Sequence, residues 1–196
     1  LRRTKEQVAK DLPEKLEMIL FCEMGKEQRD IYEAYRNDYR DKILGVVEEQ
    51  GVQKSQLTIL QGLMKLRQIC DSPAIMKGEE KFPNASVKLE EIGREITENI
   101  SDHKALVFSQ FLGMLALIKE RLNELGVDYE YFDGSTSAPD REKAIQRFQS
   151  DENCRVFLIS LKAGGVGINL TAADYVYIVD PWWNPAVEQQ AIDRTH

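Results

Sequence analysis

Between residues 104 and 180 the apolar residues come as short unbroken runs. "KALVFS" at 104–109, "CRVFLIS" at 154–160 and "YVYIVD" at 175–180 read as strands, with "VDYEYF" at 127–132 as a fourth. Runs this rich in Val, Ile, Leu and Phe call for cover on both faces. The stretches between them are helical. Leu112, Leu115, Ile118, Leu122 and Leu125 step by three and four, and Gly126 ends that stripe. Leu89, Ile92 and Ile96 mark a helix over 88–99. Pro139 opens another, with Ala144, Ile145 and Phe148 on its buried face. A last helix starts from Pro185. Repeated strand–helix units joined by short loops predict an α/β fold, an open, mostly parallel sheet with helices on both faces.

The first 80 residues follow a different rhythm. Leu16, Met18, Leu20 and Cys22 predict a strand over 16–22. Ile31, Tyr35, Tyr39 and Ile43 fall four apart with Tyr32 beside them, which predicts a long helix over 26–50. Gly51 is the expected break. Ile59, Leu63, Leu66 and Cys70 predict a second helix over 54–71, stopped by Pro73. The two make a helical hairpin whose apolar stripes need each other or the sheet. The polar stretch from Lys77 to Ser86 reads as a connector.

Composition narrows the class. The 196 residues are 42% hydrophobic and carry a net charge of −7. This is an ordered globular chain and not a histone-like basic module. A narrow phosphate-binding strip remains compatible with that balance. No apolar run reaches membrane-spanning length, and no cleavable leader is expected. Cys22, Cys70 and Cys154 stand far apart without any CxxC, which favours a reducing compartment and offers no zinc knuckle.

Four polar loops follow the strands: Ser109-Gln110, Asp133-Gly134-Ser135, Ser160-Leu161-Lys162 and Asp180-Pro181. In a parallel sheet the carboxyl ends of the strands share one edge, and ligands bind there. The richest loop runs from Ser160 to Thr171. Gly164, Gly165 and Gly167 free its backbone to present N–H groups, with Lys162 and Asn169 beside them. It reads either as a phosphate cradle or as a tight connection that glycine merely permits. Gly134 to Ser137, with Arg141 one turn into the next helix, reads either as a phosphate site or as a helix cap with a surface arginine. Trp182 and Trp183 either pack or stand ready to stack on a base or partner. Gln190 and Arg194 share a helix face.

Two glycine motifs are absent. Leu170 replaces the third glycine of a dinucleotide fingerprint that would start at Gly165, and the lone Gly25-Lys26 pair is followed by Glu27 where a Walker A loop needs Ser or Thr. No catalytic triad emerges. Asp133 and Asp180 suit holding loops better than transferring protons.

The whole chain resembles the second RecA-like lobe of the Swi/Snf family of DNA-dependent ATPases. "LRRTKEQVAKDLPEKLE" at 1–17 resembles the link between lobes, and "MKLRQICDSP" at 64–73 a family motif in the helical insertion. "KALVFSQF" at 104–111 resembles motif IV, and "FDGSTS" at 132–137 with Arg141 the backbone-contact element after it. Residues 158–196, "LISLKAGGVGINLTAADYVYIVDPWWNPAVEQQAIDRTH", resemble motif V running into motif VI. The resemblance implies three parts: a lead-in from the first lobe with an edge strand at 1–25, a helical insertion at 26–80, and a C-terminal lobe at 81–196. The second motif VI arginine would follow directly after His196.

It further implies an ATP-driven translocase on double-stranded DNA. Arg194 would face the γ-phosphate, Gln190 would lead the motif, and Gly165 and Gly167 would border the interlobe ATP site. Ser109, Gln110, Ser135, Thr136, Arg141, Lys162, Gly164 and Asn169 would contact the DNA backbone, with Trp182 and Trp183 bracing the groove. ATP and Mg2+ would be the full-length protein's cofactors, the metal being held by the first lobe. The 196 residues alone are expected to need no metal and to hydrolyse no ATP. Partners would be duplex DNA, the first lobe of the same protein and a protein docked on 26–73, with no membrane. Localisation would be nucleoid-associated in a prokaryote and nuclear in a eukaryote. The competing reading is a non-catalytic interaction or degenerate nucleic-acid-binding lobe.

Overall fold

A computed structural model describes residues 16–78, 81–163 and 169–181. The chain first forms a hairpin of helices α1 (Lys26–Gln50) and α2 (Val52–Asp71). Gly51 turns the chain between them at φ 78°, a left-handed conformation that costs glycine little, and its N–H closes α1 on Val47 O at 3.0 Å. The inner line of α2 is Ser55, Gly62 and Ile69, all buried. Leu63, expected on the inner stripe, is 42% exposed. The tyrosines of α1, half-buried at 32, 35 and 39, need small residues opposite them, and this rotates α2 away from its leucine stripe.

A 3-10 turn (Pro73–Ile75) and a loop lead to α3 (Val87–Arg94). Ser86 caps α3 by accepting the Leu89 N–H at 3.1 Å. The helix runs on through a π turn (Glu95–Asn99). Then follow β1 (Ala105–Ser109), α4 (Leu112–Glu124), β2 (Tyr129–Phe132), α5 (Ala138–Ser150), β3 (Val156–Ser160) and β4 (Tyr175–Ile178). Gly126, at φ 66°, lies just past α4 as expected.

The sheet order is β2-β3-β1-β4, with every pairing parallel. Ala105 to Ser109 pair in register with Val156 to Ser160, so both strands end at the same level. Alternating residues face two separate cores. Val107 and Leu158 pack with Leu89, Ile92, Met114 and Ile118 of α3 and α4. Leu106, Phe108, Phe157 and Ile159 pack on the other side with Ala144 and Phe148 of α5. Each fully buried Phe contributes roughly 1.5–3 kcal/mol. The expected two-sided, mostly parallel RecA-like α/β fold is therefore present, with the helical hairpin as an addition.

The strand expected over 16–22 is not formed. Residues 16–25 are extended but pair with no strand among the described residues, and Leu16 and Phe21 are 83% and 91% exposed. A helix from Pro185 was expected in a stretch outside the described residues.

Candidate functional site

Because all four strands run the same way, the loops after β2, β3, β1 and β4 lie in that order along one edge. Ser109 ends β1 at the centre of this edge. Its side chain is fully buried, and its hydroxyl donates to Asp180 Oδ2 while accepting the Phe111 N–H at 3.1 Å. The Gln110 N–H donates to Asp180 Oδ1 at 2.9 Å. One carboxyl group thus ties the end of β4 to the loop after β1, and Ser109 anchors that loop from within. The side-chain nitrogen of Gln110 is buried and finds no partner among the described residues.

After β2, Asp133 organises its own loop. Its Oδ1 accepts the Ser135 N–H at 2.8 Å and the Ser135 hydroxyl at 2.6 Å, and its Oδ2 accepts the Tyr131 hydroxyl at 2.6 Å. Thr136 Oγ1 accepts the Asp133 N–H at 3.0 Å. These donors, the Ser135 hydroxyl foremost, pull the Asp133 carboxyl down to about 2. Ser137 caps α5, accepting from the Asp140 N–H. Arg141 lies back across the loop, its guanidinium 5.1 Å from the Phe132 ring centre and its Nη2 3.5 Å from Thr136 O. Its Nε is buried without a partner among the described residues.

After β3, the Leu161 N–H donates to Ser109 O at 2.9 Å, which locks this loop to its central neighbour. Leu161 and Ala163 point into the core, while Lys162 and Asn169 are exposed. The described residues therefore bring Ser109 and Gln110 together through Asp180, and Ser135, Thr136 and Arg141 together through Asp133 and Phe132. Gly164, Gly165, Gly167, Trp182, Trp183, Gln190 and Arg194 lie outside the described residues.

Sequence reasoning had Asp133 and Asp180 as loop holders, and both hold loops. It missed Asp71, Lys88 and Gln28. Gln28 of α1 is buried and donates to Ile69 O at 2.8 Å while its Oε1 accepts the Val87 N–H, stitching α1 to both α2 and α3. Lys88 bonds Asp71 Oδ1 at 2.7 Å and Val179 O at 2.8 Å, joining α2 to the end of β4. Nothing in the local sequence pattern marked these three residues, whose partners lie in distant segments.

Residues 87–196 match the helicase conserved C-terminal domain, and residues 1–75 match the SNF2-related domain. An uncharacterized ATP-dependent helicase of Mycoplasma pneumoniae is 40% identical over 199 residues, covering 100% of this chain and 18% of its own length. The putative ATP-dependent helicase/translocase YwqA of Bacillus subtilis is 40% identical over 203 residues, covering 100% of this chain and 22% of its own. The Sulfolobus solfataricus SWI2/SNF2 ATPase core in complex with dsDNA matches at TM-score 0.75 and 33% identity, over 100% of this chain and 41% of that one. The chain belongs to the Swi/Snf superfamily of helicase-related ATPases. It spans about a fifth of the length of the curated relatives it matches.

No group of three or more His, Cys, Asp or Glu side chains suited to a metal ion occurs among the described residues of this Swi/Snf domain. The cleft near Asp180, about 60 Å³, is far too small for a nucleotide. Gly165, Gly167 and Arg194, the residues expected to face ATP, lie outside the described ones. No helix among the described residues is long and apolar enough to cross a membrane.

Proposed function

We propose that this Swi/Snf domain is the second lobe of an ATP-dependent translocase on double-stranded DNA. The observation that carries this reading is the single loop edge. There Arg141, Lys162 and Asn169 stand beside loops pinned by Asp133 and Asp180. Such an edge suits a phosphate backbone and reads no sequence. A net-acidic protein can grip DNA this way, since N–H groups, amides and a few cations do the work.

In this reading Arg141, Lys162, Asn169, Gln110 and Gly164 meet phosphates. Ser135 and Thr136 shape the loop from which Arg141 works, and Ser109 positions the neighbouring one. Trp182 and Trp183 brace the groove. Gln190 and Arg194 face ATP across the interlobe cleft with Gly165 and Gly167 at its border, and Arg194 stabilises charge developing on the γ-phosphate. The first lobe supplies the Walker A loop and holds Mg2+, so these 196 residues alone hydrolyse no ATP.

The test is Arg194→Ala in the full-length protein. Duplex-stimulated ATP turnover is expected to fall at least a hundredfold while duplex affinity changes by less than threefold. Wild-type turnover in that variant defeats the assignment. A second reading, protein docking on the hairpin, is favoured by Leu57, Leu60 and Met64, which are exposed on one side of α2.

A further inference from the structure

The seam between the helical hairpin and the sheet contains two carboxyl groups almost wholly removed from the protein surface. Asp71, the last residue of α2, is fully buried, and Asp180 is 3% exposed. The charge of Asp71 acts on Asp180 across this seam. Both line the 60 Å³ cavity together with Arg67, Cys70, Lys88 and Pro181.

The donors around the pair are unevenly placed. Asp71 Oδ1 receives Lys88 Nζ at 2.7 Å. Asp180 receives the Ser109 hydroxyl and the Gln110 N–H. Asp71 Oδ2 is buried and has no hydrogen-bond partner among the described residues. An ionised Asp180 has nothing to donate, and a protonated Asp180 does. A buried acceptor left empty is costly, and more so when it carries charge.

The surrounding charges point the same way. Lys88 reaches in from α3, and Arg67 from α2 with its Nη2 on Pro181 O at 2.8 Å. Cys70 is a thiol that burial pushes up and so keeps neutral. On the sheet side the facing groups, Ser109 and Gln110, carry no charge. Two carboxylates buried at the edge of one small cavity cannot both ionise cheaply.

We propose that Asp71 and Asp180 share one proton as a carboxylic acid–carboxylate pair, and that this pair is the positioning contact through which the hairpin sets the loop after β1. Burial foremost, and then the charge of Asp71, raise Asp180 to about 8. At neutral pH Asp180 holds the proton and donates it to Asp71, while its oxygens still accept from Ser109 and Gln110. Above that range both groups ionise and repel, and the seam loosens at the point where Asp180 holds the loop. The positioning role for turnover rests on the function proposed above; the shared proton does not.

The experiment measures unfolding of this chain by denaturant between pH 5 and 9.5, with infrared spectroscopy of the carboxylic-acid C=O band. A folded-state pKa raised above its unfolded value gives stability that is present at low pH and lost as pH rises toward the folded pKa. The unfolding constant of the wild type is therefore expected to rise toward tenfold per pH unit below about 8 and to level off above it. Its acid band should persist along the slope and vanish as pH passes about 8, where the slope levels off. In Asp71→Asn the amide donates to an ionised Asp180, so this slope and the band should be lost. Asp180→Asn should lose both as well, which covers the case in which one variant does not fold.

A wild type lacking the slope or the band overturns the proposal, and so does an Asp71→Asn variant that keeps both. Either result would mean that water in the cavity serves Asp71. In the full-length protein, duplex-stimulated turnover should fall severalfold above pH 8 in the wild type and stay level in Asp71→Asn. Matching profiles overturn the positioning role. Absence of turnover in every form defeats the translocase reading and leaves the folding result to decide the shared proton.

Discussion

A Cβ atom built on Gly62 would stand 2.8 Å from Tyr39 Cδ1, 3.1 Å from Cγ and 3.4 Å from Cβ. The contact reaches the root of the tyrosine side chain, so swinging the ring cannot clear it. This close approach holds α1 against α2. Gly62→Ala gains about 1 kcal/mol of helix propensity and meets an overpacking cost of about 1–3 kcal/mol. A small net loss is expected. Gly62→Val adds bulk without a comparable gain and should cost about 2 kcal/mol more than Gly62→Ala. Chemical denaturation of both variants checks the order. Combining either with Tyr39→Ala should return much of the loss, since the clash is then gone.

Arg141 tests the nucleic-acid reading. Its guanidinium lies against Phe132, and its Nε has no partner among the described residues. If it meets a phosphate, Arg141→Ala weakens duplex binding severalfold and alike for all sequences. It also lowers the slope of log affinity against log salt by about one. Fluorescence anisotropy at four salt concentrations measures both. Arg141→Lys should recover the charge and only part of the affinity, because the planar stack is lost. An unchanged salt slope in Arg141→Ala removes this residue from the interface.

The Asp133 loop carries its own pH signature. Its carboxyl lies at about 2, below the ordinary value near 3.9. A depressed carboxyl contributes stability above its unfolded value and loses it as pH falls through its folded one. The Ser135 amide resonance should therefore titrate with a midpoint near 2 in wild-type protein. In Asp133→Asn that titration should disappear. A midpoint at the ordinary carboxylate value would mean that the Ser135 and Tyr131 hydrogen bonds do not persist in solution.

Lys104 finishes α5 from outside. Its ammonium bonds Phe148 O and, at 2.7 Å, Asp151 O, and it lies 5.1 Å from the Phe148 ring centre. A cation on the last carbonyls of a helix opposes the helix dipole. Lys104→Met keeps the stem and removes the charge, so a loss of about 1–3 kcal/mol is expected by thermal or denaturant unfolding. Lys104→Arg should recover part of it.

The fold was legible where a residue's fate depends on its near neighbours. "VFLIS" needs cover on both sides wherever it sits, and β3 is buried at every position. Pro139 and Ser137 begin a helix by local chemistry alone. Legibility ended where the outcome depends on a distant segment. Residues 16–22 have apolar side chains in both alternating registers, so their pattern names neither an inner face nor a partner. Leu63 fits a helical stripe, but the rings of α1 decide which face of α2 turns inward. Asp71 and Asp180 look like ordinary strand- and helix-end acids until the fold presses them together. Ser109 was expected at the DNA backbone, and its side chain lies buried on Asp180, which no local pattern announces.

The extended segment before α1 has a practical consequence at the bench. Leu16, Met18, Ile19 and Phe21 are all more than 70% exposed, and their backbone is paired with no strand among the described residues. Such a ribbon is a template for sticking to its own kind. Concentrated preparations should turn cloudy through this stretch before the folded body melts. Two lysines written in at Ile19 and Phe21 would be the first remedy for an overexpressed sample.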